Sequence, residues 1–456
     1  MTGDRAIERV DAVCIVGAGP HGLIAARALK KSEVPFVILE KHDDVGGLWD
    51  IANPGTPMYE SCHFVSSRNG SSYFDFAMPD SYPDYPSRLQ ILAHIRRFAD
   101  RYGLREHVEF DSKVVRAEPD GERWIVETEA GRVRSFEALI VCPGCTWHPR
   151  LPDFEGHFDG ELLHSVAYKN ARQLTGKNVL IVGMGNSGAD IACDAVRTAA
   201  GVFVSMRRGY NFVPKHLFGI PTLDLLNDPT LAPEALRGID FPAAVQLHIG
   251  DITRLGFPRP DHAVGETHPV MNTQVLYHAA HGRIVAKPDV ERLDGDTVRF
   301  IDGSAERIDT IIAATGYDYR VPFIDEAAFG WEDGHPRLYL TAFSRQHPTL
   351  FVIGLIEANG APWKLDDQLS LIIAEYLADR RAGRPRAAAL RERVTAEQVD
   401  LQAGHRFVAS ARTVNYVNVP DYEANLHRIA DDFGFSRLRP GFYDSVATAA
   451  DAREAA

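Results

Sequence analysis

Apolar and polar positions follow the same order in two separate parts of the chain. In the first part, the mostly apolar run D-A-V-C-I-V at residues 11–16 ends at the turn G-A-G-P-H-G, residues 17–22. In the second part, K-N-V-L-I-V at residues 177–182 ends at G-M-G-N-S-G, residues 183–188. Short apolar runs that stop at glycine predict buried strands, and the alanine-rich segments after the glycines predict helices. Each unit then continues into a further apolar strand, F-V-I-L at 36–39 in the first and G-V-F-V-S at 201–205 in the second.

The residues that follow these further strands carry opposite charges. Glu40 lies 23 residues after Gly17, and Arg207 lies 24 residues after Gly183. A strand, a glycine turn and a helix form a dinucleotide site, in which the helix N-terminus binds the pyrophosphate. An acid at this position accepts hydrogen bonds from a free ribose hydroxyl, whereas an arginine binds a 2′-phosphate. The first unit therefore predicts FAD and the second NADPH, unless Arg207 and Arg208 are only a solvated pair.

Composition limits the class of protein. At 456 residues the chain is long enough for two domains, and its 45% hydrophobic and 24% charged residues are an ordinary globular balance. A net charge of −13 argues against nucleic acid or an anionic membrane as the main partner. No apolar run reaches the roughly 20 residues that span a bilayer, and the N-terminus has no apolar signal core. The five cysteines are few and odd in number, which is typical of a reducing compartment. We expect a cytoplasmic enzyme with a small-molecule substrate, and a homodimer remains one option.

The rest of the chain is arranged around the two units. Residues 53–86 are rich in Pro, Ser, Tyr and Asp and predict a loop that covers a ligand. Residues 210–282 have weak periodicity, and their histidines lack the spacing of metal ligands, so we predict an irregular segment and no metal. The turn A-A-T-G-Y-D at 313–318 can lead the chain back into the first domain. The predicted domains are a discontinuous FAD-binding domain (1–155 and 315–456), an NADPH-binding domain (156–314) and an insertion that shapes the substrate pocket (217–267).

Cys142 and Cys145 form a C-x-x-C pair that must be weighed as a redox dithiol. Cys142 ends an apolar strand at a glycine turn, before the linker to the second nucleotide unit. In small flavin disulfide reductases the dithiol instead lies inside the pyridine-nucleotide domain. We therefore interpret the pair as two small residues at a tight turn.

Six motifs in a fixed order are similar to those of one enzyme family. They are G-A-G-P-H-G with Glu40; G-G-L-W at 46–49; F-x-G-x-x-x-H-x-x-x-Y at Phe158, Gly160, His164 and Tyr168; G-M-G-N-S-G at 183–188; S-M-R at 205–207; and A-T-G-Y at 314–317. Together they resemble the class B flavin-dependent monooxygenases, most closely the flavin-containing monooxygenase branch, over residues 13–377. The related Baeyer–Villiger enzymes usually end the central motif in Trp and Pro or Asp, whereas here Tyr168 is followed by Lys169.

The resemblance implies both a fold and a reaction. The fold is α/β with two Rossmann-like dinucleotide-binding domains, as in glutathione-reductase-like flavoproteins. NADPH would reduce FAD, the reduced flavin would form a C4a-hydroperoxide with O₂, and a small soft nucleophile (amine nitrogen or sulfide sulfur) would take one oxygen. Two alternatives stay open, namely Baeyer–Villiger oxygenation of a ketone and an uncoupled NADPH oxidase that produces H₂O₂. A flavin-bound protein without enzymatic activity is a third, which two complete nucleotide sites argue against.

The glycine turns and the resemblance together give the expected cofactor residues. For FAD they are Gly17, Gly19, Pro20, Gly22, Glu40, Gly47, Leu48, Trp49, Val114, Thr315, Gly316 and Gln368. For NADP they are His164, Tyr168, Gly183, Gly185, Asn186, Ser187, Gly188, Ser205, Arg207 and Arg208. The segment 158–168 joins the two sites, and the resemblance implies that His164 and Tyr168 lie close to the nicotinamide nucleotide.

One loop departs from the family pattern, which commonly reads Y-x-S-L-x-T-N-x-P-K. Tyr59 and Ser61 keep its register, which puts Val65 at the family's asparagine and Arg68 at its lysine, with Asn69 adjacent. Val65, Arg68 and Asn69 are therefore the candidate catalytic positions. A lost hydrogen bond is worth about 1–3 kcal/mol, so Val65 predicts a shorter-lived oxygen intermediate. This prediction gives weight to ketone oxygenation or peroxide release.

Overall fold

Two large β-sheets with helices packed against them make up the fold. The computed structural model describes residues 7–332, 334–358, 360–410, 413 and 416–448. Within these ranges, no helix combines the length and the apolar character that a bilayer span requires. The α-helices are α1 (Pro20–Lys31), α2 (Arg88–Arg101), α3 (Asn186–Ala195), α4 (Thr222–Asn227), α5 (Phe241–Ile249), α6 (Gln274–Ala280), α7 (Trp363–Arg381), α8 (Pro385–Ala396) and α9 (Val419–Phe433).

The strands of the described residues form a seven-stranded sheet, a five-stranded sheet and smaller ones. They are β1 (Glu8–Val16), β2 (Phe36–Leu39), β3 (Val108–Glu109), β4 (Val114–Asp120), β5 (Arg123–Thr128), β6 (Val133–Val141), β7 (His148–Pro149), β8 (Gly156–Phe158), β9 (Glu161–His164), β10 (Asn178–Val182), β11 (Gly201–Ser205), β12 (His216–Leu217), β13 (Ile220–Pro221), β14 (Val285–Lys287), β15 (Val290–Gly295), β16 (Thr297–Phe300), β17 (Ala305–Arg307), β18 (Thr310–Ala313), β19 (Tyr317–Asp318), β20 (Leu350–Val352), β21 (Glu357–Ala358) and β22 (Tyr416–Val417).

The seven-stranded sheet has the order β3-β2-β1-β6-β5-β4, and β20 also pairs with β6. Strands β3, β2, β1, β6 and β20 run parallel, whereas β4 and β5 continue from β6 as an antiparallel meander. Both faces are covered, because Val13 and Ile15 of β1 pack into the core beneath α1 and α7 while Cys14 and Val16 pack into a core on the other face. A strand buried on both faces is apolar without alternation, which is why residues 11–16 gave so clear a pattern.

The five-stranded sheet has the order β14-β11-β10-β18-β9, and all its strands are parallel. Helix α3 leaves the end of β10 and packs against this sheet, with Ala189 and Ala192 fully buried. A smaller sheet of β17, β16, β15 and β8 packs on the opposite face through Leu180, Leu293 and Ile311. The second glycine unit thus has the same strand–turn–helix–strand order as the first.

The chain crosses between the two sheets twice, and the two crossings pair with each other. Strands β7 and β19 are antiparallel, with Tyr317 opposite Pro149 and His148 opposite Asp318. Asp318 also forms an ion pair with Arg150 at 2.6 Å. The predicted boundaries at 155/156 and 314/315 lie between strands of the two sheets, and residues 1–6 and 449–456 of the predicted FAD-binding domain lie outside the described residues.

The two segments with weak periodicity differ from each other. Residues 53–86 are irregular, with isolated bridges such as His63 to Ser87 and Tyr73 to Phe76. The prediction of an irregular segment at 210–282 is wrong in part, because it contains the hairpin β12–β13 and the helices α4, α5 and α6. These helices have six, nine and seven residues, which is too short for a helical period to show in the sequence.

Candidate functional site

At the first glycine turn, backbone segments approach each other so closely that two of the glycines have no room for a side chain. A Cβ added to Gly22 would lie 1.9 Å from the carbonyl oxygen of Gly17. Gly17 itself has a φ of +105°, and a Cβ there would lie 2.7 Å from the carbonyl oxygen of Cys142. Helix α1 then begins at Pro20, with Gly19 as its N-cap and no side chain capping it. The first N–H groups of α1 and the positive end of its dipole are therefore directed at the turn, an arrangement that binds phosphate.

The second glycine turn has the same backbone geometry. A Cβ on Gly188 would lie 2.1 Å from the carbonyl oxygen of Gly183, and one on Gly183 would lie 2.6 Å from that of Ala314. Gly185, the N-cap of α3, has φ −73° and ψ −178°, the same values as Gly19. A Cβ on Gly185 would meet no atom within 4 Å, so this face of the turn is open. Both turns fit a dinucleotide pyrophosphate.

Two polar residues predicted to bind NADP are bonded to neighbouring segments. The Asn186 amide donates to the carbonyl of Pro269 at 3.1 Å and accepts from the N–H of Met271 at 2.7 Å. The Ser205 hydroxyl is fully buried and donates to the carbonyl of Pro288 at 2.7 Å. Ser187 lies in the first turn of α3, next to Gly188. The side chains of Asn186 and Ser205 therefore hold the turn in place through bonds to neighbouring segments and do not project from it.

Glu40 is a buried acid held against the first turn. One carboxylate oxygen accepts the N–H of Ala18 at 2.5 Å, and the other accepts the N–H of His42 at 2.9 Å. Burial raises the pKa of Glu40, and the two backbone N–H groups act against that rise. Each carboxylate oxygen can accept a second hydrogen bond, so the fixed carboxylate fits a ribose hydroxyl.

The two arginines after β11 differ in their partners. Arg207 is exposed, and its guanidinium has no hydrogen-bond or ion-pair partner within the described part of the chain. Arg208 instead forms an ion pair with Asp261 at 2.9 Å and contacts the His262 ring nitrogen at 3.4 Å. Of the two arginines, Arg207 thus has the guanidinium group that is available to bind a 2′-phosphate.

Sequence reasoning missed an acid beside the first turn, Asp366 in the first turn of α7. It is fully buried, and neither of its oxygens makes a hydrogen bond of good geometry to a described residue. The Nδ1 atom of His21, the second residue of α1, lies 2.6 Å from one oxygen, although the angle is poor. Burying a carboxylate without donors is costly, so Asp366 favours a ligand that donates hydrogen bonds here. FAD carries such donors on its ribityl hydroxyls and flavin ring, and the residues therefore fit that cofactor.

A third turn, G-G-L-W, lies against the first. A Cβ on Gly47 would lie 3.0 Å from the Cα of Gly19, so the two turns are in direct contact. Leu48 and Trp49 pack against the apolar core around α3, and the Trp49 ring lies 5.4 Å from that of Phe64. The structure thus brings Gly47 against the first turn and directs Leu48 and Trp49 toward the second unit, and their contact with FAD stays a prediction.

His164, the last residue of β9, is bonded to the second crossing between the sheets. Its Nδ1 accepts the N–H of Val166 at 3.1 Å, so the ring proton is on Nε2, which donates to the carbonyl of Gly316 at 3.0 Å. The ring also lies 5.0 Å from that of Tyr317. Burial lowers the pKa of His164 despite the bond to Gly316. His164 is therefore a neutral side chain that fixes the turn containing Thr315 and Gly316.

Tyr168 lies in a network on α3 that sequence reasoning did not find. Its hydroxyl donates to Asp194 at 3.0 Å, and the Ser61 hydroxyl donates to the same carboxylate. The Tyr59 hydroxyl donates to Asp190 at 2.8 Å. The two acids are four residues apart on α3, and this spacing on one helix face was the available signal. Contact of Tyr168 with the nicotinamide nucleotide remains a prediction, since its hydroxyl is bound to Asp194.

Three of the remaining predicted FAD residues have side chains that are buried in a core or bonded to other segments. Val114 is buried in β4, in the core on the far face of the first sheet. The Gln368 amide donates to the carbonyl of Ser436 at 3.0 Å and accepts from the N–H of Leu438 at 2.9 Å. The Thr315 hydroxyl donates to a backbone carbonyl in the opposite crossing. The Gln368 side chain is thus bonded to the C-terminal segment at both of its polar ends.

The polar side chains of the candidate catalytic loop are bonded to other segments of the protein. The Arg68 guanidinium donates to three backbone carbonyls of residues 79, 80 and 82, at 2.6–3.2 Å. The Asn69 amide donates to Asp224 at 3.0 Å. Val65 follows Phe64 in the same loop and is half-buried. The structure therefore keeps the three residues on one loop, with both polar groups already bonded.

Comparison with known proteins agrees with this geometry. Residues 10–226 and 254–414 match the family model described as flavin-binding monooxygenase-like. Flavin-containing monooxygenase 5 of Rattus norvegicus is 31% identical over 377 residues, which are 76% of this chain and 70% of the relative. Flavin-containing monooxygenase 1 of Homo sapiens is 31% identical over 375 residues, with the same shares of both chains.

Solved structures of this class share the fold. An open crystal structure of cyclohexanone monooxygenase has a TM-score of 0.66 at 18% identity and covers 93% of this chain and 98% of its own. The S-allyl-L-cysteine S-oxygenase of Allium sativum has a TM-score of 0.64 at 20% identity and covers 97% and 93%. The predicted two-domain α/β fold, the FAD and NADPH cofactors and the monooxygenase class are thereby confirmed. The chain belongs to the flavin-binding monooxygenase-like family.

Proposed function

We propose that the enzyme oxygenates a small soft nucleophile, an amine nitrogen or a sulfide sulfur. In the balanced reaction, NADPH, H⁺, O₂ and the nucleophile give NADP⁺, water and the oxygenated nucleophile. The main support is the pair of glycine turns with one backbone geometry, one beside the buried acid Glu40 and the other followed by the free Arg207. The relatives at 31% identity are flavin-containing monooxygenases, and the similar S-allyl-L-cysteine S-oxygenase of Allium sativum is named for oxygenation of a sulfide sulfur, which supports this substrate class. The similar cyclohexanone monooxygenase keeps a ketone as the alternative substrate.

The residues of each site would hold one cofactor. The first turn, Glu40 and the G-G-L-W turn would bind FAD, and Asp366 would accept hydrogen bonds from it. The second turn would bind the NADPH pyrophosphate, and Arg207 its 2′-phosphate. When bound, the flavin supplies hydride acceptance and O₂ activation, while the protein orients the groups and excludes water. His164 would hold the connection between the sites, because both of its ring nitrogens are bonded to the backbone.

The same interpretation extends to domain limits and location. We assign residues 1–155 and 315–456 to FAD binding, 156–314 to NADPH binding and 217–267 to the substrate pocket. The five cysteines are all free thiols, which supports a reducing cytoplasm. The family model leaves residues 227–253 unmatched, which supports a segment specific to this chain.

An uncoupled NADPH oxidase is the second candidate, and Val65 favours it. The loop has an apolar residue at the family's amide position, and its neighbours Arg68 and Asn69 are bonded elsewhere. Such a loop would offer the reduced flavin no polar side chain from these three positions. Peroxide would then leave before oxygen transfer.

The test is the fate of the O₂ consumed. Purified holoenzyme is supplied with NADPH and, in turn, methyl phenyl sulfide, N,N-dimethylaniline and cyclohexanone. We expect sulfoxide or N-oxide in close to one-to-one ratio with NADPH oxidised. Lactone without sulfoxide would support ketone oxygenation instead. Peroxide equal to NADPH with every substrate would refute oxygenation and support the oxidase.

A further inference from the structure

The 64–70 loop is bonded to the short helix α4 through a single carboxylate. Asp224 accepts a hydrogen bond from the Ser67 hydroxyl on one oxygen and from the Asn69 amide on the other, the latter at 3.0 Å. Ser67 is 1% exposed, and its hydroxyl also accepts the N–H of Gly70 at 3.2 Å. One acid of the 217–267 insertion therefore fixes two polar side chains of the loop, Ser67 and Asn69, and, through Ser67, its backbone.

The C-terminal end of the loop, at Gly70, packs closely on α4. A Cβ on Gly70 would lie 2.5 Å from a methyl group of Leu223, so the loop backbone packs directly on α4. Next to it, His216 of β12 lies 2.9 Å from the Asp84 carboxylate, and the Tyr85 hydroxyl donates to the carbonyl of Lys215. The segment before α4 is thus attached to the same irregular region, and Asp224 lies at the centre of an extended interface.

The other end of the loop touches the flavin side of the site. The N–H of Phe64 donates to the carbonyl of Pro86 at 2.7 Å. The Phe64 ring lies 5.4 Å from that of Trp49, the last residue of the G-G-L-W turn, and 5.6 Å from that of Trp363 at the start of α7. Val65 lies between Phe64 and Ser67. The position of Val65 is therefore set on its N-terminal side by the aromatic contacts of Phe64 and on its C-terminal side by the bond between Ser67 and Asp224.

We propose that Asp224 is a positioning residue, which holds the 64–70 loop against the flavin site and so keeps oxygen transfer ahead of peroxide release. The inference rests on the proposed function. A loop that closes a site excludes water and suppresses side reactions, whereas a loop that moves admits water. When the loop is loose, NADPH, H⁺ and O₂ give NADP⁺ and H₂O₂, and the nucleophile is left unchanged. Among the described residues, the Asp224 carboxylate bonds to Ser67 and Asn69 and to no residue of the two glycine turns or the G-G-L-W turn.

The experiment compares Asp224→Ala with Asp224→Asn and with the matched control Asp228→Ala. Asp228 is exposed and lies four residues further on, and among the described residues its side chain bonds only to Thr230. For each holoenzyme we measure NADPH oxidised, sulfoxide formed, H₂O₂ released, the anaerobic rate of flavin reduction by NADPH, and the melting temperature.

We expect Asp224→Ala to raise the peroxide share several-fold, with flavin reduction at the wild-type rate. Asp224→Asn should recover part of the coupling, because an amide oxygen still accepts a hydrogen bond, and Asp228→Ala should match the wild type. The inference fails if Asp224→Ala couples as well as Asp228→Ala. It also fails if reduction rate, coupling and melting temperature all fall together, since that describes general destabilisation.

A second variant keeps the test decisive if Asp224→Ala does not fold. Ser67→Ala combined with Asn69→Ala removes the two donors and leaves α4 unchanged, and it should show the same rise in peroxide. Wild-type coupling in this double variant would overturn the inference. The proposed function is judged separately, because it depends on the sulfoxide yield of the wild type and not on any ratio between variants.

Discussion

Replacing Arg207 by alanine tests the assignment of the second nucleotide site. The Arg207 side chain is exposed and has no hydrogen-bond or ion-pair partner among the described residues, so its removal breaks no such bond there. Any loss in binding must then come from the nucleotide. NADH lacks the 2′-phosphate, so only NADPH should respond.

The expected size follows from exposure. Hydrogen bonds to charged groups are worth about 1.5–3 kcal/mol, and an exposed arginine belongs at the lower end because water and salt screen it. A loss of about 1.5 kcal/mol corresponds to about tenfold weaker NADPH binding. The assay is the anaerobic rate of flavin reduction as a function of NADPH and of NADH concentration. The preference for NADPH should fall about tenfold, and salt should weaken that preference in the wild type only.

Arg208→Ala is the matched control, since Arg208 is already paired with Asp261. An exposed pair of this kind contributes roughly 0–1 kcal/mol, so the control should keep the preference for NADPH. Equal weakening of NADPH and NADH by Arg207→Ala would refute the 2′-phosphate assignment. A loss of preference in Arg208→Ala alone would move the assignment to Arg208.

Four other variants test the remaining parts of the site, and a fifth tests a buried histidine of α2. Gly22→Ala, whose Cβ would lie 1.9 Å from a backbone oxygen, should purify without FAD. Gly188→Ala, whose Cβ would lie 2.1 Å from a backbone oxygen, should keep its flavin absorbance but resist reduction by NADPH. Reduction of Gly188→Ala at the wild-type rate would contradict the assignment of the second turn to NADPH. Asp366→Asn should stabilise the apoprotein and weaken FAD binding in a fluorescence titration, and unchanged affinity would show that the acid faces no donor of FAD. Tyr168→Phe should cost about 1 kcal/mol of unfolding free energy and leave the KM for NADPH unchanged, whereas a large rise in KM would place the side chain at the nucleotide. Burial lowers the pKa of His94 from 6.5 to about 3, so this histidine is neutral in the folded protein, and its contribution to stability is complete above pH 6.5 and lost as pH falls toward 3. His94→Phe should therefore flatten the pH dependence of the free energy of urea unfolding over that range, by up to about 1.4 kcal/mol per pH unit. An unchanged pH profile would refute the lowered pKa of His94.

The two nucleotide units could be predicted because their strands are buried on both faces. The run at 36–39 coincides with β2, and 201–205 coincides with β11. The glycines then fix the turns, because Gly22 and Gly188 have no room for a Cβ. At such positions the sequence and the backbone geometry carry the same information, so little depends on distant residues.

The directions of polar side chains could not be predicted in this way. The central motif gives the position of Tyr168, but its hydroxyl turns to Asp194 on a helix whose packing no local pattern shows. Asp366 has the same difficulty, since its burial depends on α1, which precedes it by more than three hundred residues. Helix α4 is six residues long and makes its contacts with a loop some 150 residues earlier, so neither could be read from periodicity.

Three acids of the second unit bind donors from one segment of the first, and this places a condition on catalysis. Asp190 and Asp194 accept from Tyr59 and Ser61, and Asp224 accepts from the 64–70 loop. The segment 59–70 is therefore held by acids of the second unit, although the Phe64 ring within it contacts Trp49 and Trp363 of the first. Because the loop cannot keep both sets of contacts if the two units change their relative orientation, the loop and that orientation must be coupled. If residue 65 faces the flavin as proposed, its effect would depend on this coupling. We therefore expect substitution of these acids, and not only of Val65, to change the ratio of oxygen transfer to peroxide release.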